Sequence, residues 1–409
     1  MSNENKKNNA VFPNEKETEK NSLRKNYFSS LADKYSKASH ILYIVLLVCF
    51  IFTLVFNSKI LTYNNFNYLF KDINTAAEIA SNNYNSISYA NDKLRVTKAF
   101  RGGVITASTT DMAIYNATGK KSLSINESFV LPEIAVSQKY AVIYDQGGNN
   151  YSVYNSFSRV YNTKTTHSIS SITVADNGWY AIVSKDNEHN SVVYLYDDDF
   201  NLRNSYLFAS KYVFSVSINT HGSRIAIVCT EAASAGDGYL TSVMICDPGK
   251  DSSRAEISLG TGIPFGSSFT NNELLNIVCS DGLYVLDENS GEIKTVYKFN
   301  QKNANKMSVS SAGCAIAFSD NKGTVNNTLL VFDETGKMVY DTVINGGISD
   351  IEYIEGNVFV NRNDTVIKID VDSGKETEIQ TFEKGTDIIV YDKNNILLCC
   401  QTKAKYIKF

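Results

Sequence analysis

One phrase recurs along this chain: a short apolar strand ending in Asp or Asn, then a Gly two to four residues on, usually followed by Lys or Glu. It reads AIYNATGK at 113–120, MICDPGK at 244–250, YVLDENSGE at 284–292, LVFDETGK at 330–337 and IKIDVDSGK at 367–375. This is the chemistry of a strand, a tight turn in which Asx binds backbone and Gly supplies a positive φ, and a second strand. Weaker copies, YSVYNSFSR at 151–159 and YLYDDDFN at 194–201, fill the gaps. The strand-ending residues are then Asn116, Asn155, Asp197, Asp247, Asp287, Asp333 and Asp370, spaced by 39, 42, 50, 40, 46 and 37. A period near 40 in an all-β pattern, four strands per unit, is the signature of a β-propeller.

The copies also count the blades. An eighth Asp would fall about 40 residues after Asp370 on the same period, where the sequence ends in the strand-like KYIKF. The last blade is therefore expected to lack its outermost strand, and the unpaired edge needs a partner. SISY at 86–89, just ahead of LRVTKAF at 94–100, is the expected closing strand. The sequence thus predicts an all-β, eight-bladed β-propeller, with seven blades as the alternative if one weak copy is an elaborated loop. An irregular β-sandwich would lack a fixed long period. With 43% hydrophobic residues, 25 Tyr and 21 Phe but only 4 Pro, the chain can bury a large β-rich core.

At the other end, no residue between Lys37 and Lys59 carries a full charge, and the centre reads ILYIVLLVCFIFTLVF over 41–56. As a helix the 21 residues between Lys37 and Lys59 would reach about 32 Å, matching a hydrocarbon core of about 30 Å. The rival, a cleaved signal peptide, has a shorter apolar core ending at small residues, whereas NSK follows here. Residues 1–40 carry eight Lys/Arg and five Asp/Glu, and the positive-inside bias puts the N-terminus in the cytoplasm. The rest of the chain is acidic, which argues against nucleic acid as a ligand. The expected organisation is a cytoplasmic, mostly disordered tail at 1–38 with a solvated lead-in before the span, a transmembrane signal anchor at 39–58, a juxtamembrane amphipathic helix at 59–82 and an extracellular propeller at 83–409. The helical spacing of Phe66, Leu69, Phe70, Ile73 and Ala77 marks the third of these.

Taken together, the basic tail, the single anchor, a juxtamembrane stretch of the LTYNNFNYLFKDINTA kind and D-x-x-G-K units resemble an uncharacterised family of single-span envelope proteins of Gram-positive anaerobes, a domain of unknown function. That resemblance implies architecture and a cell-membrane location but no activity and no site residues. The repeated turns also look like those of quinoprotein-type eight-bladed propellers, a group holding both quinone-dependent dehydrogenases and non-catalytic scaffolds. Such dehydrogenases carry Trp-rich docking motifs, and this chain has only Trp179. Their vicinal cysteines are matched by Cys399 and Cys400. Neighbouring side chains on a strand point to opposite faces, so this pair reads as apolar packing. No cofactor is expected.

Catalytic and metal signatures are missing too. His40, His167, His189 and His221 stand at no metal-ligand spacing, and there is no phosphate loop, nucleophile elbow or H-E-x-x-H. The acidic run Asp197–Asp199 occupies a turn. Six of the seven cysteines lie in or beside apolar strand segments, and since strand positions in different blades seldom meet disulfide geometry they are expected as buried thiols. Recognition is expected on the long polar loops between second and third strands, which share one face of a propeller. Their candidate residues are Asn149, Asn150, Asp186, His189, Glu231, Asp237, Asn326 and Arg362. The functional expectation is a non-enzymatic binding or scaffold module for an envelope protein or extracellular ligand. The alternative is an envelope hydrolase or lyase whose groups converge on the propeller axis. Clustered carboxylates at the axis would favour the latter, and a Ser-, Val- and Ile-lined axis the former.

Overall fold

The computed structural model describes residues 15–56, 86–89, 95–116, 118–233, 238–250, 252–300, 303–319, 326–354, 356–362, 364–381 and 383–409, with helix side chains from 24 to 52. The chain divides into two units, residues 1–73 and 74–409, each described by itself.

The first unit contains one helix, α1 (Glu15–Phe56). It begins well before the apolar run. From Glu15 onward the stretch expected as a mostly disordered tail is helical, since Glu, Lys, Leu and Ala fill it and no Gly or Pro interrupts it after Pro13, and the lead-in from Arg24 is largely exposed. Among the described residues, Arg24–Phe52 is the one segment long and apolar enough to cross a membrane. The expected amphipathic helix at 59–82 lies outside the described residues.

The second unit is an eight-bladed β-propeller of eight four-stranded antiparallel sheets. Blades 1 to 7 each use four consecutive strands. Their innermost strands are Val96–Phe100, Pro132–Val136, Ile169–Val174, Tyr212–Ile218, Pro264–Phe269, Asn303–Ser310 and Asp350–Ile354. Blade 8 runs outward through Gly385–Val390, Asn395–Cys400 and Lys403–Lys408, and Ile87–Ser88 closes it as the outermost strand. Ile87 pairs with Ala404 and Ser88 with Lys403, so SISY closes the ring as its position predicts. The innermost strands touch in sequence round the axis, and the last meets the first.

Each seam between neighbouring blades holds its own hydrophobic cluster, eight in all. Second strands such as Ala141–Asp145 and Tyr180–Ser184 are buried along their whole length. Packed on both faces, they carry apolar runs without alternation. Outermost strands such as Lys121–Asn126 and Ile293–Lys298 alternate between exposed and half-buried. The six propeller cysteines are free and buried. Cys399 packs in the seam between blades 8 and 1 and Cys400 in that between blades 7 and 8, as strand alternation requires.

The recurring phrase is the turn between third and fourth strands. Asp333 Oδ1 accepts from the backbone N–H of Thr335 at 2.9 Å and of Lys337 at 3.1 Å, while Gly336 takes φ +78°. Blade 3 has Phe200 at φ +66° where blades 1, 4, 5, 6 and 7 place Gly, and its ring stacks on Tyr161 at 4.6 Å. Asp287 is held below the usual carboxylate range chiefly by the Ser290 N–H, and Asp370 chiefly by the Ser373 hydroxyl. A depressed pKa gives stability that is present above the ordinary value of 3.8 and lost as pH falls through the lower folded value. The stability these turns contribute should therefore decline as pH falls below 3.8, which acid titration followed by circular dichroism reads. The double variant Asp287→Asn, Asp370→Asn should flatten the pH dependence there, whereas an unchanged acid limb would exclude these turns as its source.

Candidate functional site

Loops between second and third strands emerge on one face, here called the upper face, together with the connections between blades. The Asx turns occupy the lower face. The antiparallel pairing of Ile87–Ser88 with Lys403–Lys408 brings the chain into blade 8 from the lower face.

The described candidate residues all stand at the upper face, but they do not form one site. Asn149 Nδ2 donates to the carbonyls of Thr165 at 3.0 Å and Thr166 at 3.2 Å, tying its loop to the next connection. Asn150 opens the third strand of blade 2. Asp186 and His189 come together within one loop, with Nδ1 3.0 Å from both carboxylate oxygens, and this contact holds Asp186 low. Glu231 lies across from Leu240 in the blade 4 hairpin. Asn326 and Arg362 meet around Asn345: Asn326 pairs with it in register, and Arg362 Nη1 donates to its carbonyl at 3.1 Å. Arg362 also pairs with Glu378 at 3.4 Å. Asp237 lies outside the described residues.

What stands out on this face was not read from the sequence. The innermost strands of blades 3, 4, 5, 6 and 8 each shift register near their upper end, at Ser170, Phe214, Phe265, Asn305 and Thr386. A bulge re-aims the extra residue out of the alternation, and all five are exposed. In blades 4 and 5 that residue is Phe. Just below them Ser215 Oγ and Ser267 Oγ lie 2.7 Å apart, so these two strand ends are neighbours. Tyr212, Tyr239, Leu240 and Ile263 lie at the upper ends of strands or connections of the same two blades, and the six residues are 38 to 54% exposed. Elsewhere on the propeller large apolar groups are exposed mainly on outer strands.

The axis is divided in character. From blade 3 to blade 5 hydroxyls lace adjacent blades: Thr173 Oγ1 to the Val216 carbonyl at 2.8 Å and Ser217 Oγ to the Ser267 carbonyl at 2.9 Å. A chamber of about 530 Å³ opens opposite, lined among others by Lys98, Asp350, Glu352 and Asp387. Asp350 accepts from the Ile388 N–H at 2.7 Å and Glu352 from Ser308 Oγ at 2.9 Å, so both carboxylates also join blades. Burial, with the charge of Asp350 second, pushes Glu352 up to about 7. Among the described residues no group of side chains could hold a metal ion. A raised carboxyl pKa gives stability that is full below the ordinary 4.5 and is lost as pH rises through about 7. Glu352→Gln should therefore remove a stability decline between pH 5 and 8, worth a few kcal/mol at most. Urea unfolding across that range checks this, and parallel pH profiles for the two proteins would contradict it.

Eight four-stranded blades, closed by the strand Ile87–Ser88, define a propeller-fold protein. Within that class, residues 74–409 match the family of unknown function DUF5711, and the chain belongs to it. No curated protein matches. Among solved structures the chain is similar to Sqt1 of Saccharomyces cerevisiae (TM-score 0.58, 11% identity, 80% of this chain and 99% of that one). It is also similar to BamB of Moraxella catarrhalis (0.54, 13%, 80% and 98%) and to the computationally designed Ika8 (0.59, 12%, 79% and 98%). At these identities the likeness concerns the fold alone.

Proposed function

We propose that this protein is a non-enzymatic binding module, held at the cell membrane by α1 with its N-terminus in the cytoplasm, that receives an envelope protein on the upper face of an extracellular propeller. The observation that carries the reading is the apolar mouth on blades 4 and 5. Aromatic anchors surrounded by polar loops are the composition of an interaction hot spot, and a patch of this kind on a soluble surface otherwise costs solubility. The basic residues ahead of the apolar run support the orientation.

The test is affinity capture from detergent-solubilised membranes of the native host, comparing wild type with Phe214→Asp, Phe265→Asp. A charge at each centre of a hot spot should lower partner recovery by at least tenfold, with the melting temperature unchanged because both side chains are exposed. Equal recovery would remove the mouth from the account.

One observation favours a second reading. A Glu352 that titrates near neutrality beside Asp350 is the pairing from which acid and base roles are built in hydrolases. Loss of hydrolysis of envelope glycans on Glu352→Gln, with the mouth variant unaffected, would replace the first reading by the second.

A further inference from the structure

A second cavity, of about 490 Å³, opens on the upper side of the seam between blades 8 and 1, across the ring from the apolar mouth. Its walls come from both ends of the propeller sequence: Tyr89 and Arg95 follow the closing strand, while Lys384, Asp387 and Gln401 belong to blade 8. It shares Thr97 and Asp387 with the axial chamber.

The floor is built and charge-balanced. The Arg95 side chain is only 5% exposed, pairs with Asp111 at 3.2 Å, and lies over the Tyr89 ring at 5.0 Å. Tyr89 Oη in turn donates to the Cys400 carbonyl at 2.7 Å. The rim is different. Lys384 and Asp387 are exposed, and neither makes a hydrogen bond or ion pair with another described residue. They stand three positions apart, about 10 Å along an extended strand. The flexible lysine stem can shorten that gap, and the bulge at Thr386 lies between them. Among the described residues, one cation and one anion thus stand without a hydrogen bond or ion pair over a charge-balanced floor, in a space of the size that holds small molecules, an arrangement suited to a ligand carrying both charges.

We infer that this cavity binds a small zwitterion, a free amino acid or dipeptide, with its carboxylate on Lys384 and its ammonium on Asp387. Gln401 and Thr97 offer the neutral hydrogen-bonding groups between them. Because the walls come from both chain ends, the ligand stabilises the closed ring, and its binding is linked to the latch formed by Ile87–Ser88. This inference is independent of the docking proposed for the mouth.

The test uses the full-length protein in detergent, with the twenty common amino acids and glycylglycine as probes and acetate and methylamine as single-charge controls. At least one zwitterion should raise the melting temperature and give a calorimetric binding isotherm, while acetate and methylamine at equal concentration do neither. Lys384→Gln and Asp387→Asn, both at exposed positions, should each weaken that binding at least tenfold without lowering the melting temperature of the free protein. No response to any zwitterion, an equal response to a single-charge control, or wild-type affinity in both variants would overturn the inference.

Discussion

Ile87→Asp should unfold the propeller under conditions in which the wild type is fully folded. Ile87 is 1% exposed and packs with Val104, Ala113, Leu397 and Ala404, so it joins the closing strand to blades 8 and 1 at once. Truncating a buried Ile to Ala costs about 2–5 kcal/mol, and an unpaired buried carboxylate costs more. Domains of ordinary stability have about 5–15 kcal/mol to lose. The strand is only two residues long and Ile87 is its one buried side chain, so its loss leaves the edge of Lys403–Lys408 held mainly by the flanking Tyr89. Ser88, on the same strand but exposed, is the control, and Ser88→Ala should shift stability by no more than about 0.5 kcal/mol. Denaturant unfolding of the full-length protein in detergent measures both. A midpoint for Ile87→Asp equal to that of wild type would show that the ring does not depend on its latch.

The second large effect concerns the anchor. Ile44, Leu47 and Ile51 lie near the middle of the apolar run, and each is about half exposed or more on a helix with no protein around it. A Lys at the centre of a spanning helix costs about 2.5–3.5 kcal/mol, and the apolar residue it replaces contributed about 0.3–0.6 kcal/mol in favour. Three such changes reverse the sign of the insertion free energy. The triple variant should therefore leave the membrane pellet for the soluble fraction after alkaline extraction, while wild type stays in the pellet. Retention of the variant, or extraction of the wild type, would contradict membrane anchoring.

The fold was legible because each blade repeats the same local solution. Asp333 and its counterparts accept the N–H groups of their own turns, so turn chemistry is written within a few residues and survives without tertiary context. Closure was legible for a different reason. A missing fourth strand in the last blade is a counting result, and only one short β-like segment preceded the first unit. The start of the long helix at Glu15 was not legible, because the charged stretch carries no apolar periodicity, although its Glu, Lys, Leu and Ala are good helix formers.

The site was less legible. Asn149 and Arg362 sit on the upper face as expected, yet their polar atoms are spent on the carbonyls of Thr165 and Asn345, which sequence spacing does not reveal. Phe214 and Phe265 read as ordinary members of alternating strands. Their exposure follows from bulges that depend on pairing with the second strand, a non-local property. Asp350, Glu352 and Asp387 were overlooked likewise, since blades 3 to 6 supply the serines that suggested a neutral axis. The axis is half hydroxyl and half acid, and a chamber joining residues 98 to 387 exists only once the ring has closed.

The most direct measurement is photo-crosslinking in intact cells with a photoreactive amino acid placed at Phe214, compared with the same group at Thr335 in a lower-face turn. The account predicts a discrete, reproducible adduct from position 214 and none from 335. An adduct from 335 alone, or the same adduct from both positions, would contradict the claim that this propeller receives its partner on the upper face.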